Sequence, residues 1–159
     1  MSSLLIDCSE PPFVPEGLFL LPESEQLPKR VRRYWLWDVR NIGLHLPYEQ
    51  RTHGMRGTEL LVSLRNHRVF PANILDFCLK RENKDIVPKE FERFAIPFWG
   101  SLFGAKSKKD TGIRYVRCLY RDIGKLGPDS EEVSKWEGGY FSVNEIYNGG
   151  LPTIVALRF

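Results

Sequence analysis

The feature that most constrains the fold is an uncharged run, FAIPFWGSLFG, at residues 94–104. It holds four aromatic side chains, one proline and two glycines. A helix that spans a bilayer needs about 20 apolar residues, so the run is too short to cross a membrane. It is therefore either a buried strand or an exposed aromatic surface made for a partner.

A second apolar run, GIRYVRCLYR (112–121), follows after the polar, basic segment AKSKKDT (105–111). Two runs of this kind around a turn with flanking glycines predict a β-hairpin. Apolar side chains occur at both odd and even positions of the second run. We therefore expect it to be a central strand covered on both faces.

A third strand is predicted in RVRRYWLWDVR (30–40), where apolar and polar residues alternate with a period of two. The alternation places Trp35 and Trp37 on the same, mostly apolar face. Burial of that face in the core is favoured over an exposed stacking platform.

Two short helices are predicted, at about 57–66 and 71–82. The first is ambiguous, because its leucines fit one face of a helix but every second residue also fits a strand; a helix is favoured. The second has an apolar stripe and ends before Pro88. Beyond residue 122 we expect a surface loop at 126–139, a short strand at 140–143 and a last strand in LPTIVALRF.

The first 28 residues contain five of the eleven prolines, which excludes a long helix there. They predict an acidic, Pro-rich arm (1–28) packed on a single domain (29–159). The fold class expected for the chain is α+β, with a mainly antiparallel sheet, two short helices and this arm.

Charge is segregated along the chain although the formal net charge is only +3. Residues 1–28 carry −5, residues 29–68 carry +6 and the remainder carries +2. A basic segment is typical of a nucleic-acid surface, but the acidic arm can equally cover it, or it can be a solvated face. The residues that would contact nucleic acid are Arg30, Arg32, Arg33, Lys106, Lys108, Lys109 and Arg114.

Lysines 106, 108 and 109 have two further interpretations. They could meet an anionic partner, or they could form a solvated tip that keeps a strand edge from pairing wrongly.

Three widely spaced cysteines without a CxxC pair predict free thiols in a reducing cytoplasm. Asp7 and Glu10 stand where a signal peptide would need apolar residues. The sequence thus predicts a soluble cytoplasmic protein that does not contact a membrane.

Catalytic motifs are missing from the sequence. It contains no GxxxxGK[ST], GxGxxG, GxSxG or HExxH. His45, Glu49 and His53 have the spacing of metal ligands on one helix, but Pro47 lies between them. We expect neither a metal nor a cofactor.

Asp76 is interpreted as a local hydrogen-bonding or solvated residue, and His67 as an exposed turn residue.

Five segments in order resemble one group of proteins: residues 72–76, 86–91, 98–103, 116–120 and 152–157. The pattern is an Ala-Asn-x-Leu-Asp helix, a Phe-Trp-Gly-Thr-x-Tyr strand and a Val-Arg-x-Leu-Tyr strand. It resembles uncharacterised small bacterial proteins of the Patescibacteria (candidate phyla) type. The resemblance implies a shared module, in which the Phe-Trp-Gly segment is a structural strand, and it implies no activity. A Trp-rich strand of that pattern has only Trp136, Tyr140 and Phe141 as its counterpart here.

Two functions follow as hypotheses. High aromatic content (13%), charge segregation and missing catalytic motifs favour an interaction domain that binds a protein or serves as an accessory subunit. The alternative is a basic nucleic-acid-binding protein. That alternative extends to metal-independent RNA cleavage by His53 or His67 with nearby arginines.

Overall fold

A four-stranded antiparallel sheet organises the chain in a computed structural model that describes residues 3–27, 33–122 and 135–157. Together with three helices it forms a single α+β domain, which confirms the expected fold class. The elements in chain order are β1 (Leu4–Asp7), β2 (Leu18–Leu20), β3 (Tyr34–Trp37), β4 (Ile42–His45), α1 (Tyr48–His53), β5 (Met55–Arg56), α2 (Gly57–Ser63), α3 (Ala72–Leu79), β6 (Ile96–Ala105), β7 (Arg114–Asp122), β8 (Lys135–Ser142), β9 (Ile146–Tyr147) and β10 (Thr153–Ala156).

The main sheet has the strand order β2–β6–β7–β8. Three small antiparallel pairs complete the strand pairing of the described residues: β1 with β3, β4 with β10, and β5 with β9. The predicted hairpin is therefore confirmed as β6 and β7. The prediction that the second run is a central strand is also confirmed, because β7 lies between β6 and β8.

Strand β6 settles how the uncharged run is used. All its residues from Ile96 to Gly104 are buried. On one face of the sheet, α3 packs Ile74 and Leu75 against Phe98 of the strand. On the other face, leucines of α2 pack around Trp99 and Leu102. The run is a core strand and not an exposed aromatic surface.

The middle of β6 departs from regular pairing, and α3 begins at that point. The register with β7 shifts between Pro97 and Leu102. Within the irregular stretch the Gly100 N–H donates to the Phe70 carbonyl oxygen over 3.0 Å. The Ala72 N–H donates to Ser101 Oγ, also over 3.0 Å. The irregularity therefore supplies a partner for an amide at the first turn of α3, which has no acceptor within its own helix.

Both predicted helices are present, although each is shorter than expected. Helix α2 covers Gly57–Ser63 and continues as a 3-10 turn, Leu64–Asn66. Helix α3 covers Ala72–Leu79, after which Lys80 is extended and a 3-10 turn, Arg81–Asn83, follows. The Asn83 side chain donates to the Phe77 carbonyl oxygen over 2.8 Å, which satisfies the end of α3.

The tryptophan strand has the expected orientation but is shorter than predicted. It begins at Tyr34 and ends at Trp37, and residues 28–32 lie outside the described part of the chain. Trp37 is 2% exposed, and Trp35 is half-buried against the same core. The alternation therefore identified the inner face correctly.

The predicted surface loop at 126–139 is wrong at its C-terminal end. Strand β8 begins at Lys135 and pairs along β7 as far as Ser142. A Cβ on Gly138 would lie 3.1 Å from Leu79, and one on Gly139 would lie 3.2 Å from the Tyr120 ring. The two glycines are thus close-packing positions of a strand and not part of a turn. Residues 123–134 are outside the described chain.

We expect Trp37→Ala to lower the free energy of unfolding by about 3–5 kcal/mol, the usual cost of truncating a buried Trp. Trp35→Ala should cost less, because its side chain is only half-buried. Leu36→Ala on the exposed outer face of β3 is the matched control and should be close to neutral. Urea unfolding of the three variants and the parent measures these differences in the free energy of unfolding. Equal stability of the Trp37 variant and the parent would contradict the core assignment.

Gly100→Ala should also destabilise the fold. A Cβ at this position would lie 2.6 Å from the Phe70 carbonyl carbon and 2.7 Å from the Pro71 nitrogen, both backbone atoms. Overpacking of this kind typically costs about 1–3 kcal/mol. Gly149→Ala, whose Cβ would meet nothing closer than 3.9 Å, is the control. Thermal unfolding at matched concentrations compares the two, and identical melting temperatures would be evidence against close packing at Gly100.

Candidate binding groove

A groove of about 670 Å³ opens between the N-terminal arm, α2 and the β6–β7 hairpin. Its floor is apolar, with Leu21, Leu61 and Leu102 buried beneath it. Two apolar side chains at the groove remain exposed: Val62 of α2 is 60% exposed and Phe19 of β2 is 41% exposed. The groove therefore offers apolar surface that the chain itself does not cover.

The Gln26 side chain helps to fix the arm wall of the groove. Its Nε2 donates to the carbonyl oxygens of Leu21 (2.9 Å) and Leu102 (3.0 Å), and its Oε1 accepts from the Leu102 N–H over 2.6 Å. One amide thus satisfies three backbone groups across two segments. The arm is held against β6 by directional contacts as well as by strand pairing.

Phe19 has its position because residue 104 is glycine. A Cβ on Gly104 would lie 2.6 Å from the tip of the Phe19 ring. The ring therefore rests directly on the β6 backbone, with its other face directed away from the strand. The sequence analysis did not identify Phe19 as a site residue. The alternation of side-chain directions in a strand at GLFLL could have indicated it, since Leu18 is buried and Phe19 is exposed.

The charged groups that line the groove are mainly basic. Arg65, just after α2, is exposed and Arg114, at the start of β7, is half-buried. Glu25 is the acidic side chain among the described lining residues. Arg114 was predicted as a contact for an anionic partner, whereas Arg65 was not, because a lone arginine after a leucine-rich helix carries no distinguishing pattern.

The three predicted lysines lie on the turn that borders the groove. Lys106, Lys108 and Lys109 are all exposed. Ser107 Oγ accepts from the Lys109 N–H over 3.3 Å and starts a 3-10 turn, Lys108–Asp110. The structure thus brings these lysines and Arg114 to one end of the sheet.

Arg33 does not belong to that group. It lies next to β3, on a different sheet, and its guanidinium is 3.4 Å from an Asp7 carboxylate oxygen. Arg30 and Arg32 lie outside the described residues.

The histidines do not share a helix. His45 is on β4, whereas Glu49 and His53 are on α1, which begins after Pro47. Within residues 3–27, 33–122 and 135–157, no group of three or more His, Cys, Asp or Glu side chains is placed to hold a metal ion. His45 instead lies against His67, with ring centroids 4.0 Å apart. Burial, followed by the charge of His67, lowers the pKa of His45.

The sequence predicted that Asp76 is a local hydrogen-bonding or solvated residue, but it is half-buried and its contacts are with distant residues. One of its carboxylate oxygens lies 2.6 Å from Nη1 of Arg117, which is only 3% exposed. The partners come from α3 and β7, and no spacing rule links residues 41 positions apart. The ion pair therefore neutralises the Arg117 guanidinium, which lies on a buried face of the sheet.

The buried cysteines are poor nucleophiles. Burial raises the pKa of the Cys78 thiol, and it raises that of Cys118 to about 11. A thiol with a raised pKa is protonated at neutral pH, and the thiolate is the reactive form.

Comparison with protein-family models, curated proteins and solved structures found no match. The resemblance to the small bacterial proteins therefore stays a prediction. None of the helices in the described part of the chain has the length and apolar character of a membrane span.

The His45–His67 contact predicts a pH dependence of stability. Because the pKa of His45 is lowered in the folded state, the unfolded chain binds more protons as the pH falls below the ordinary value of about 6.5. The contribution of His45 to the free energy of unfolding is therefore complete above the ordinary pKa of the unfolded chain. It is lost as the pH falls through the lower pKa that His45 has in the folded state.

His45→Gln should flatten the loss of stability between about pH 7 and pH 5, and His67→Gln should flatten it in part, measured by urea unfolding. His53→Gln, on the exposed end of α1, is the control and should follow the parent profile. A His45 variant with the same pH profile as the parent would show that the contact carries no such linkage.

Proposed function

We propose that the protein is an interaction domain without catalytic activity, whose groove takes a short acidic segment with apolar side chains from a partner protein. The observation that carries this proposal is the combination of an apolar floor with two arginines in one groove. A cytoplasmic location is part of the proposal and rests on the sequence, in which three cysteines lie far apart and form no CxxC motif.

Shape and apolar surface support a peptide-sized ligand. The volume of about 670 Å³ lies within the range of roughly 300–1,000 Å³ that is typical of ligand sites. A partner side chain that covers Val62 and Phe19 would remove apolar surface from water, at about 25 cal/mol per Å².

Charge supports an acidic ligand over a neutral one. Arg65 and Arg114 contribute two positive charges to the groove, and Glu25 contributes one negative charge. The lysines of the turn extend the basic surface beyond the groove. Complementary charge steers association and fixes orientation more than it adds affinity. Carboxylates that flank apolar anchors suit this arrangement.

The lining residues favour binding over catalysis. The described ones include Ser and Thr hydroxyls and one Glu but no Cys, His or Lys. A hydroxyl nucleophile needs a neighbouring base within hydrogen-bond reach. The Gln26 contacts hold the arm wall in place, which lowers the ordering cost of binding.

Nucleic acid is the second candidate, and the exposed lysines beside Arg114 favour it. Phosphates would contact the turn more than the apolar floor, and the affinity would fall steeply with salt. The two candidates therefore depend on different residues of the same region.

Fluorescence anisotropy with a labelled peptide pool, in which Glu and Asp flank Leu, Ile or Phe, tests the proposal. Val62→Asp should weaken binding about tenfold or more, because it places a charge in the apolar contact and repels the acidic peptide. Ile146→Asp is the matched control, since Ile146 is equally exposed (63%) but does not line the groove. Equal loss in both variants, or no binding of the pool, would contradict the peptide proposal.

The same titration with labelled RNA and DNA at two salt concentrations separates the candidates. Replacing Lys106, Lys108 and Lys109 by Ser should leave peptide binding within about twofold. Salt-dependent RNA binding that this triple variant abolishes would support the nucleic-acid function instead.

A further inference from the structure

Residues 10–13 of the arm cross α3 and β7 as a strap, which three side chains hold by hydrogen bonds to its backbone. Asn73 Nδ2 donates to the Glu10 carbonyl oxygen over 2.6 Å. Asp76 accepts from the Phe13 N–H over 2.8 Å, and Arg117 donates to the Phe13 carbonyl oxygen over 3.0 Å. Contacts of this kind recognise an extended backbone whatever its side chains.

Two strap side chains add selectivity. Pro12 is buried, whereas its neighbours Pro11 and Phe13 are exposed. The Phe13 ring lies over the Arg117 guanidinium, with the carbon centre 5.0 Å from the ring centroid, yet the side chain is 63% exposed. A cation–π contact and one buried proline together favour a Pro-aromatic pair.

The contact site is preformed. The Arg117–Asp76 ion pair joins β7 to α3 and includes no strap atom, so release of the strap does not by itself remove the partner of either charge. Release exchanges three hydrogen bonds, two of them to the charged Asp76 and Arg117, for hydrogen bonds to water, so its net cost is smaller than the strength of the bonds themselves. A competing segment that makes the same three contacts offsets this cost, while β1 and β2 stay paired.

We propose that Asn73, Asp76 and Arg117 form a peptide site for an extended segment containing Pro-aromatic, which the chain's own residues 10–13 occupy, and that a segment of this chemistry on a partner protein displaces them. This site is separate from the groove and does not depend on the proposed function.

A partner protein suits the site better than the strap of a second copy. The strap lies between β1 and β2, which are both paired within their own molecule. Exchange between copies would have to unpair β1 and withdraw Ile6 from the core. A segment of another protein carries no such cost.

The test uses the full chain and a labelled, acetylated and amidated peptide with the sequence of residues 9–15. Phe13→Ala in the protein weakens the internal strap and leaves the three contact side chains intact. The variant should bind the peptide about 2- to 30-fold more tightly than the parent, since the site is more often vacant. Phe13→Leu, which keeps the apolar bulk, should shift affinity in the same direction and guards against misfolding of the Ala variant.

A peptide with Ala in place of the phenylalanine should bind each protein more weakly than the original peptide, because it lacks the ring that lies over Arg117. Phe19 is an exposed phenylalanine in the groove, and Phe19→Ala should leave the affinity for the strap peptide at the parent value. This control distinguishes failure of the strap proposal from failure of the groove proposal. Unchanged affinity in both Phe13 variants, or equal binding of the original peptide and the Ala peptide, would overturn the proposal. Dimers of the Phe13 variants in light scattering without peptide would assign the site to a second copy instead.

Discussion

Strand β6 has both edges paired and both faces buried, and the rest of the fold follows from that constraint. Strand β7 covers one edge and β2 covers the other, so the arm must return to the sheet. A strand without charge and with three aromatic side chains cannot leave a face in water at low cost. Helices α3 and α2 therefore cover opposite faces. Gly100 and Ser101 then allow α3 to begin against the strand itself.

Both candidate sites border the arm that covers β6. At the hairpin end of the sheet, residues 19–27 of the arm form a wall of the groove. On the α3 face, residues 10–13 occupy the contact site of Asn73, Asp76 and Arg117. A partner at either site thus competes with, or builds on, the segment that completes the sheet. The arm therefore contributes residues to both candidate sites.

Sequence reasoning succeeded where a feature depends on neighbours along the chain. Alternation identified the inner face of β3, and two β-rich runs around a basic turn identified the hairpin. It failed where the partner is distant. Arg117 stands inside an apolar strand pattern, and nothing local shows that Asp76 neutralises it or that residue 13 lies above it. The glycines of β8 misled for the same reason, since the side chains that need their space belong to α3 and β7.

Within the described residues, the acidic arm is attached mainly by contacts other than ion pairs. Among the ion pairs of the described residues, one, between Asp7 and Arg33, joins the arm to the basic segment. The attachment otherwise rests on strand pairing and on side chains that contact backbone atoms, namely Gln26, Asn73, Asp76 and Arg117. Exposed ion pairs contribute little to stability, so ion pairs alone would hold the arm only weakly. Because backbone contacts hold the arm, its carboxylates at Glu10, Glu16 and Glu23 stay on the surface, and so does the basic turn. The chain thus presents surfaces of both signs to a partner, which is the arrangement that favours an interaction domain.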